Sequence, residues 1–179
     1  MVNPYLVGKH VYLRHPTEED ALGKWHEWFS DEETTKYLID QWWPNSIENQ
    51  MDIYRSLVDD WNRGSRIKLV LSVVTKKDDI HIGIVGLSGI NWVHRYADLI
   101  IIIGEEEYRK IPYTLEAHEL MHVVSFIRLN LLNVKSYFFS WSRLPVLFFL
   151  FYYIFTHFSE TQKSLVQFFC LPLMRGVKT

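Results

Sequence analysis

The chain predicts an α/β (α+β) domain: a mixed, mostly antiparallel central sheet flanked by helices. Three observations predict it. Runs rich in Val, Ile and Leu at 67–74, 81–90 and 99–103 read as strands, and Lys76-Lys77-Asp78-Asp79 reads as the hairpin turn between the first two. Apolar residues recur at helical spacing over 45–62 and 115–131. Between the strand ending at Ile103 and the second helix lies a short acidic turn and then a basic loop. A strand feeding a loop at a helix N-terminus makes an anion cradle, because backbone N–H groups and the helix dipole converge there. That geometry suits a pyrophosphate.

The elements follow in order. Residues 6–14 alternate and contain Val, Tyr and Leu, which predicts a strand. Thr17 is an N-cap, with Glu18, Glu19 and Asp20 suited to a first turn. Ala21, Leu22, Trp25, Trp28 and Phe29 continue that helix, and 34–38 reads as a short second one. Asn45-Ser46 opens a helix through about 62, with Ile47, Met51, Tyr54, Leu57, Val58 and Trp61 on one face and Gly64 ending it. Residues 91–96 turn into the strand 99–103. The helix 115–131 buries Ala117, Leu120, Met121, Val124, Ile127 and Leu131, and 134–140 is a further strand.

Composition narrows the class. At 179 residues and 48% hydrophobic, the chain reads as a single domain, 1–179, with a core of its own. A net charge of −2 gives no electrostatic reason to expect nucleic acid as a partner. Cys170 stands alone, so no intrachain disulfide forms, and the first twenty residues lack the apolar core of a signal peptide. A cytoplasmic location is the default expectation. The last 44 residues hold 13 of the 28 aromatics but 5 of the 40 charged residues, so they read as a divergent tail. Its apolar run at 144–155 is shorter than the roughly 20 residues a bilayer span needs, and no membrane partner is expected.

The order Ile103-Gly104-Glu105-Glu106-Glu107-Tyr108-Arg109, then Thr114-Leu115-Glu116-Ala117, resembles the acetyl-coenzyme A motif of the GNAT superfamily of N-acetyltransferases. Gly83-Ile84-Val85-Gly86-Leu87-Ser88 with Ile90-Asn91-Trp92 upstream resembles it too. So do Leu6 to Arg14 followed by Pro16-Thr17-Glu18-Glu19-Asp20, and Arg128-Leu129-Asn130-Leu131 followed by Asn133-Val134. The similarity covers roughly 5–137 and points to the branch acting on ribosomal-protein termini, polyamines and amino sugars.

The resemblance implies a GNAT-like acyl-CoA N-acyltransferase fold, acetyl-CoA as cofactor, and a primary amine of a small molecule, amino sugar or protein N-terminus as acceptor. It implies that the amine attacks directly, and a homo-oligomer stays open. It places cofactor binding on Ile101 and Ile103 of the strand and on Arg109, Lys110, Pro112 and Thr114 of the loop. One departure stands out. Pro112 and Thr114 occupy positions where the family has small residues, usually glycine. Proline removes an N–H donor and both add bulk. The loop then either binds coenzyme A weakly, or Arg109 and Lys110 offset the lost amide.

The resemblance puts the acceptor groove beside Trp92 to Asp98, so His94 or Asp98 is the expected proton acceptor. Tyr152 falls near the family's general acid, although spacing from Val134 puts Phe149 there. Glu27, Asp31, Glu32 and Glu33, with Trp25, Trp28, Trp42 and Trp43, are candidates for lining a groove for a cationic or sugar acceptor. A solvated helix face accounts for the acids equally simply. His118-Glu119-Leu120-Met121-His122 has the HExxH form of a zinc peptidase helix. Such sites need a third ligand, and only His157 and Glu160 lie downstream, so a chance match is the simpler account and no metal is expected. Two alternative readings remain: a degenerate GNAT-like binding protein, and a zinc metallopeptidase on His118, Glu119 and His122.

Overall fold

The structure, a computed structural model, describes residues 1, 3–35, 45–139 and 165–171, the last segment and 137–139 as backbone only. Seven strands form one sheet in sequential order. They are β1 (Pro4–Val7), β2 (Val11–Arg14), β3 (Leu69–Thr75), β4 (His81–Asn91), β5 (Tyr96–Ile103), β6 (Asn133–Phe139) and β7 (Leu165–Leu171). β1 to β5 pair antiparallel, while β5–β6 and β6–β7 pair parallel. The sheet is therefore mixed and mostly antiparallel, as predicted.

Residues 6–14 are not one strand. Gly8, Lys9 and His10 break them into the hairpin β1–β2, with Leu6 opposite Leu13 and Val7 opposite Tyr12. The cause is a long-range contact that periodicity cannot carry. The Glu116 carboxylate accepts from the backbone N–H of Lys9, from His10 at 2.6 Å and from Val11 at 2.9 Å.

Helix α1 covers residues 18–30, with a wider π-helical stretch at Ala21–Trp25. Thr17 caps it as expected, and Asp20 returns the bond to the Thr17 N–H. Helix α2 (Glu32–Thr35) follows. The rest of the predicted helix 34–38, with Trp42 and Trp43, lies outside the described residues. Helix α3 (Ile47–Arg63) starts on Ser46, which accepts from Asn49 N–H, and stops at Gly64 with φ +87°, a left-handed turn that suits glycine.

Helix α4 (Ile111–His122), prolonged by π-helical Val123–Arg128, begins four residues before the sequence predicts. Proline in the first turn costs no intrahelical bond and presets φ, so Pro112 starts the helix rather than delaying it.

Two cores sandwich the sheet. On one face α4 packs Ala117, Met121 and Val124 against Val11, Leu13, Val85, Leu87, Leu99 and Val134. On the other, Trp25 and Trp28 of α1 with Met51 and Leu57 of α3 cover Val70 and Ile84. Alternation along β5 follows: Ala97, Leu99, Ile101 and Ile103 face α4, and Asp98, Ile100 and Ile102 face the opposite way.

Candidate active site

β5 and β6 pair only from Tyr96–Asn133 to Leu99–Ser136. Beyond this fork β6 continues beside β7 as far as Phe139–Leu171, and β5 continues beside β4 as far as Ile103–Gly83. A wedge is therefore left between the two parallel strands. Gly104 N–H donates to Ile82 O of β4 at 2.9 Å. Alternation then turns Ile102 toward β4, and the backbone groups of Ile101 and Ile103 toward the wedge. Of the two residues assigned to cofactor binding on β5, Ile103 has its carbonyl taken by Arg109 Nε at 3.0 Å. Among the described residues, Ile101 is the one of the two whose N–H and C=O face the wedge without such a partner.

The loop closes the wide end of this wedge. Glu106–Tyr108 form a single 3-10 turn, and Arg109 folds back inside it. The guanidinium donates to Ile103 O, Gly104 O (2.7 Å) and Thr34 Oγ1 (2.6 Å), and lies 3.6 Å from Asp31. Arg109 therefore ties the end of β5 to α2. Lys110 is exposed at the N-cap position of α4 and caps no amide with its side chain. Pro112 has no N–H to offer, and Tyr113 and Thr114 donate theirs to Lys110 O at 3.2 and 3.3 Å. The helix start thus presents fewer open amides than a glycine loop would.

At the narrow end sits Asp98. It is the last residue before the fork on the α1–α3 face, opposite Ser88 of β4 and Lys135 of β6. Its Oδ1 is buried with no hydrogen-bond partner among the described residues, and so is Oδ1 of Asn133 on the same face. Lys135 sits instead over the Tyr96 ring, 4.3 Å from its centroid. A bulge between Ser88 and Asn91, with Gly89 at φ +58°, makes room beside the carboxylate. Buried acceptors without donors are costly and mark a place where a ligand can supply them.

His94 does not join Asp98. It lies exposed on the hairpin between β4 and β5, its N–H on Asn91 Oδ1 at 2.8 Å. Arg95 does not pair with Asp98 either: its Nε donates to Asn130 O at 2.7 Å. Tyr152 lies outside the described residues.

Of the acids and tryptophans singled out in 25–33, Glu27, Trp28, Asp31 and Glu33 do converge, while Trp25 is buried in the core. They line a cleft of about 390 Å³ with Lys24, Thr34, Gly104, Glu105, Glu106 and Arg109. Glu105 and Glu106 were not foreseen in this role, because they come from the turn after β5. Trp28 Nε1 donates to Glu105 at 3.2 Å, and Lys24 bridges Glu105 at 2.8 Å and Glu27 at 3.3 Å. Burial pushes the Glu105 carboxyl up, and Lys24 and Trp28 outweigh it, holding it below its ordinary value.

His118 and His122 stack edge-on with centroids 4.3 Å apart, both buried under the sheet, while Glu119 is exposed. Burial lowers both imidazoles, His122 to about 4. Among the described residues no three His, Cys, Asp or Glu side chains gather as a metal site needs. The pair serves as core here.

These features recur in known proteins. Residues 10–141 match the family model described as the Acetyltransferase (GNAT) domain. A Vibrio cholerae protein assigned as a ribosomal-protein-serine acetyltransferase superposes with a TM-score of 0.62 at 17% identity, over 84% of this chain and 83% of that one. The Vibrio cholerae spermidine N-acetyltransferase in complex with CoA and spermine gives 0.56 at 22% identity, over 68% and 66%. The apo form of a nucleotide-linked sugar GNAT gives 0.58 at 21%, over 73% and 70%. No curated protein matches the chain. The forked sheet and the helix that starts beside its wide end are thus the fold of these enzymes, and the match over most of the chain places it in the GNAT acetyltransferase family.

Proposed function

We propose that the chain transfers an acetyl group from acetyl-CoA to a primary amine. The observation that carries the reading is the fork: pairing of β5 with β6 ends at Leu99–Ser136, and Ile101 turns its backbone groups into the wedge. An extended amide-bearing arm adds to such an edge as a further strand would. The residues present fit that group, with Ile101 on the arm, and with Lys110 and the α4 N-terminus favouring its phosphates. When bound, the cofactor supplies an acetyl thioester.

The chain's own part is positioning and proton transfer. An ammonium at the fork brings N–H donors to two buried acceptors that have none, Asp98 Oδ1 and Asn133 Oδ1. Asp98 then takes the proton. The chain would hold the freed amine against the acetyl group of the bound cofactor, which would leave as the thiol, its proton coming from the attacking nitrogen. Asp98 is assigned this role over His94 because it stands at the fork and His94 stands in solvent.

The test is a thiol-release assay with acetyl-CoA and a panel of amines that includes polyamines, amino sugars and a peptide N-terminus. Asp98→Asn is expected to lower kcat by about 10²- to 10⁴-fold with binding of coenzyme A unchanged. Full activity in that variant removes Asp98 from the mechanism. No heat on titration with coenzyme A at millimolar concentration removes the enzyme reading in favour of a degenerate binding domain.

A further inference from the structure

A second cleft, of about 350 Å³, lies on the other side of the loop, between the tips of the β1–β2 and β3–β4 hairpins and the first turn of α4. Lys9, His10, Thr75, Lys76, Lys77, Asp78, Tyr108 and Tyr113 line it. Three lysines and a histidine face one carboxylate. Among the described residues no carboxylate pairs with Lys9, Lys76 or Lys77; Lys76 Nζ reaches only Gly8 O, at 3.2 Å. The β1–β2 turn already grips an anion, since three consecutive backbone N–H groups converge on the Glu116 carboxylate. Tyr108 and Tyr113 meet edge to face at 5.1 Å, and His10 meets Tyr113 at 6.2 Å, so a ring platform stands beside the charge.

The loop itself is poor in what a pyrophosphate needs. Arg109 is spent on Ile103, Gly104 and Thr34, Pro112 has no N–H, and Tyr113 and Thr114 donate to Lys110. Lys110 is the exposed cation left on the loop, and further positive charge without a salt bridge among the described residues sits at the hairpin tips, in the cleft that Tyr113 also lines. The wedge and this cleft lie at the same end of the sheet, about three strand spacings of roughly 4.8 Å apart, with the start of α4 between them.

We propose that this cleft binds the phosphorylated adenosine end of the cofactor, its lysines doing for the phosphates what open amides do in a glycine loop, and its tyrosines and histidine holding the base. The proposal rests on the acetyl-CoA reading above. It routes the ligand from the fork, over the α4 N-terminus, to the hairpin tips.

The experiment compares the wild type with Lys76→Glu/Lys77→Glu and with the milder Lys76→Ala/Lys77→Ala. Three probes are titrated: coenzyme A, adenosine 3′,5′-bisphosphate and pantetheine, which lacks the nucleotide. The charge reversal is expected to weaken coenzyme A and the bisphosphate by about tenfold or more, the alanine pair less, and the loss is expected to shrink at high salt. Pantetheine binding stays as in the wild type. Coenzyme A bound equally by wild type and charge reversal overturns the cleft while leaving the acetyltransferase reading in place. Equal weakening of pantetheine overturns it as well, since the change then acts on the arm. A wild type that binds no coenzyme A overturns both.

Discussion

On one side of residues 104–110, the cleft around Trp28 is built from side chains bonded to one another. On the other, the cleft around Tyr113 is rimmed by lysines that carry no salt bridge among the described residues. The first is anchored deep. Trp28 lies 4.9 Å from the His81 ring, His81 Nδ1 lies 3.0 Å from Asp20, and Asp20 accepts from Arg14 at 2.6 and 2.9 Å and from Ser72 at 2.8 Å. The second stands on two hairpin turns whose residues are exposed. Similar volumes thus come from opposite constructions. The acidic cleft is part of what folds the protein, whereas the basic one is attached to it. Substitutions in the first should therefore register in stability, and in the second in binding.

The largest expected effect falls under the acidic cleft. Burial pushes the Asp20 carboxyl up, but hydrogen bonds from His81 and Arg14 prevail and hold it well below the usual carboxylate range. Asp20→Asn leaves Arg14 buried without its countercharge and is expected to cost about 3–5 kcal/mol in urea unfolding. A loss under about 1 kcal/mol would mean that the network is no foundation for Trp28. The sign with pH follows from the depressed value. The stabilisation is complete above the unfolded carboxyl's pKa of about 3.9 and is lost as pH falls toward the folded value.

A second acid effect comes from the opposite face and separates the two. Burial lowers His122 to about 4, against about 6.5 in the unfolded chain. Between those values the unfolded chain binds more protons, so stability rises with pH across the window. Acidification through it is expected to cost up to about 3 kcal/mol. Burial also lowers His118, so His122→Leu should reduce the slope of the urea midpoint between 4 and 6.5 without abolishing it, and leave the Asp20 loss below it. An unchanged slope in that variant would assign the acid sensitivity elsewhere.

How these residues could and could not be read in the sequence follows the range of the interactions that place them. Local signals held. Thr17 and Ser46 cap the helices they were expected to cap, Gly64 ends α3, and the turn at 91–96 joins β4 to β5. The hairpin at Gly8–His10 was invisible because Glu116, more than a hundred residues away, makes it. The inward bonds of Arg109 were not legible, because backbone carbonyls leave no mark in a residue pattern. Asp98 was legible as a residue type at a strand start, but its selection over His94 needed the fork. The lysine rim was missed although both of its parts sit in turns. An antiparallel reading of β2, β3 and β4 already brings Lys9-His10 and Lys76-Lys77 to the same end of the sheet, and that was the available signal.

A smaller effect probes where the acidic cleft meets the loop. A Cβ built on Gly104 would overlap the Trp28 ring, which is held by Glu105 and His81 and cannot retreat freely. Gly104→Ala is expected to cost about 1–3 kcal/mol by thermal unfolding, as overpacking does. A neutral result would show that Trp28 has slack, and the contrast between a fixed and an attached cleft would weaken accordingly.

The smallest effect decides whether the contrast holds at all. Lys76 and Lys77 are exposed, belong to the five-residue turn between β3 and β4, and carry no salt bridge among the described residues. Lys76→Ala removes only a 3.2 Å contact to the Gly8 carbonyl, a group that water can satisfy. Each alanine substitution is therefore expected to shift the urea-derived stability by no more than about 0.5 kcal/mol in either direction. A loss near that of Gly104→Ala would make these lysines structural, and any weakened ligand binding in their variants would then follow from a disturbed hairpin. A null result instead leaves their charge without a folding role, and charge gathered on a concave surface without such a role is most simply explained by what binds there.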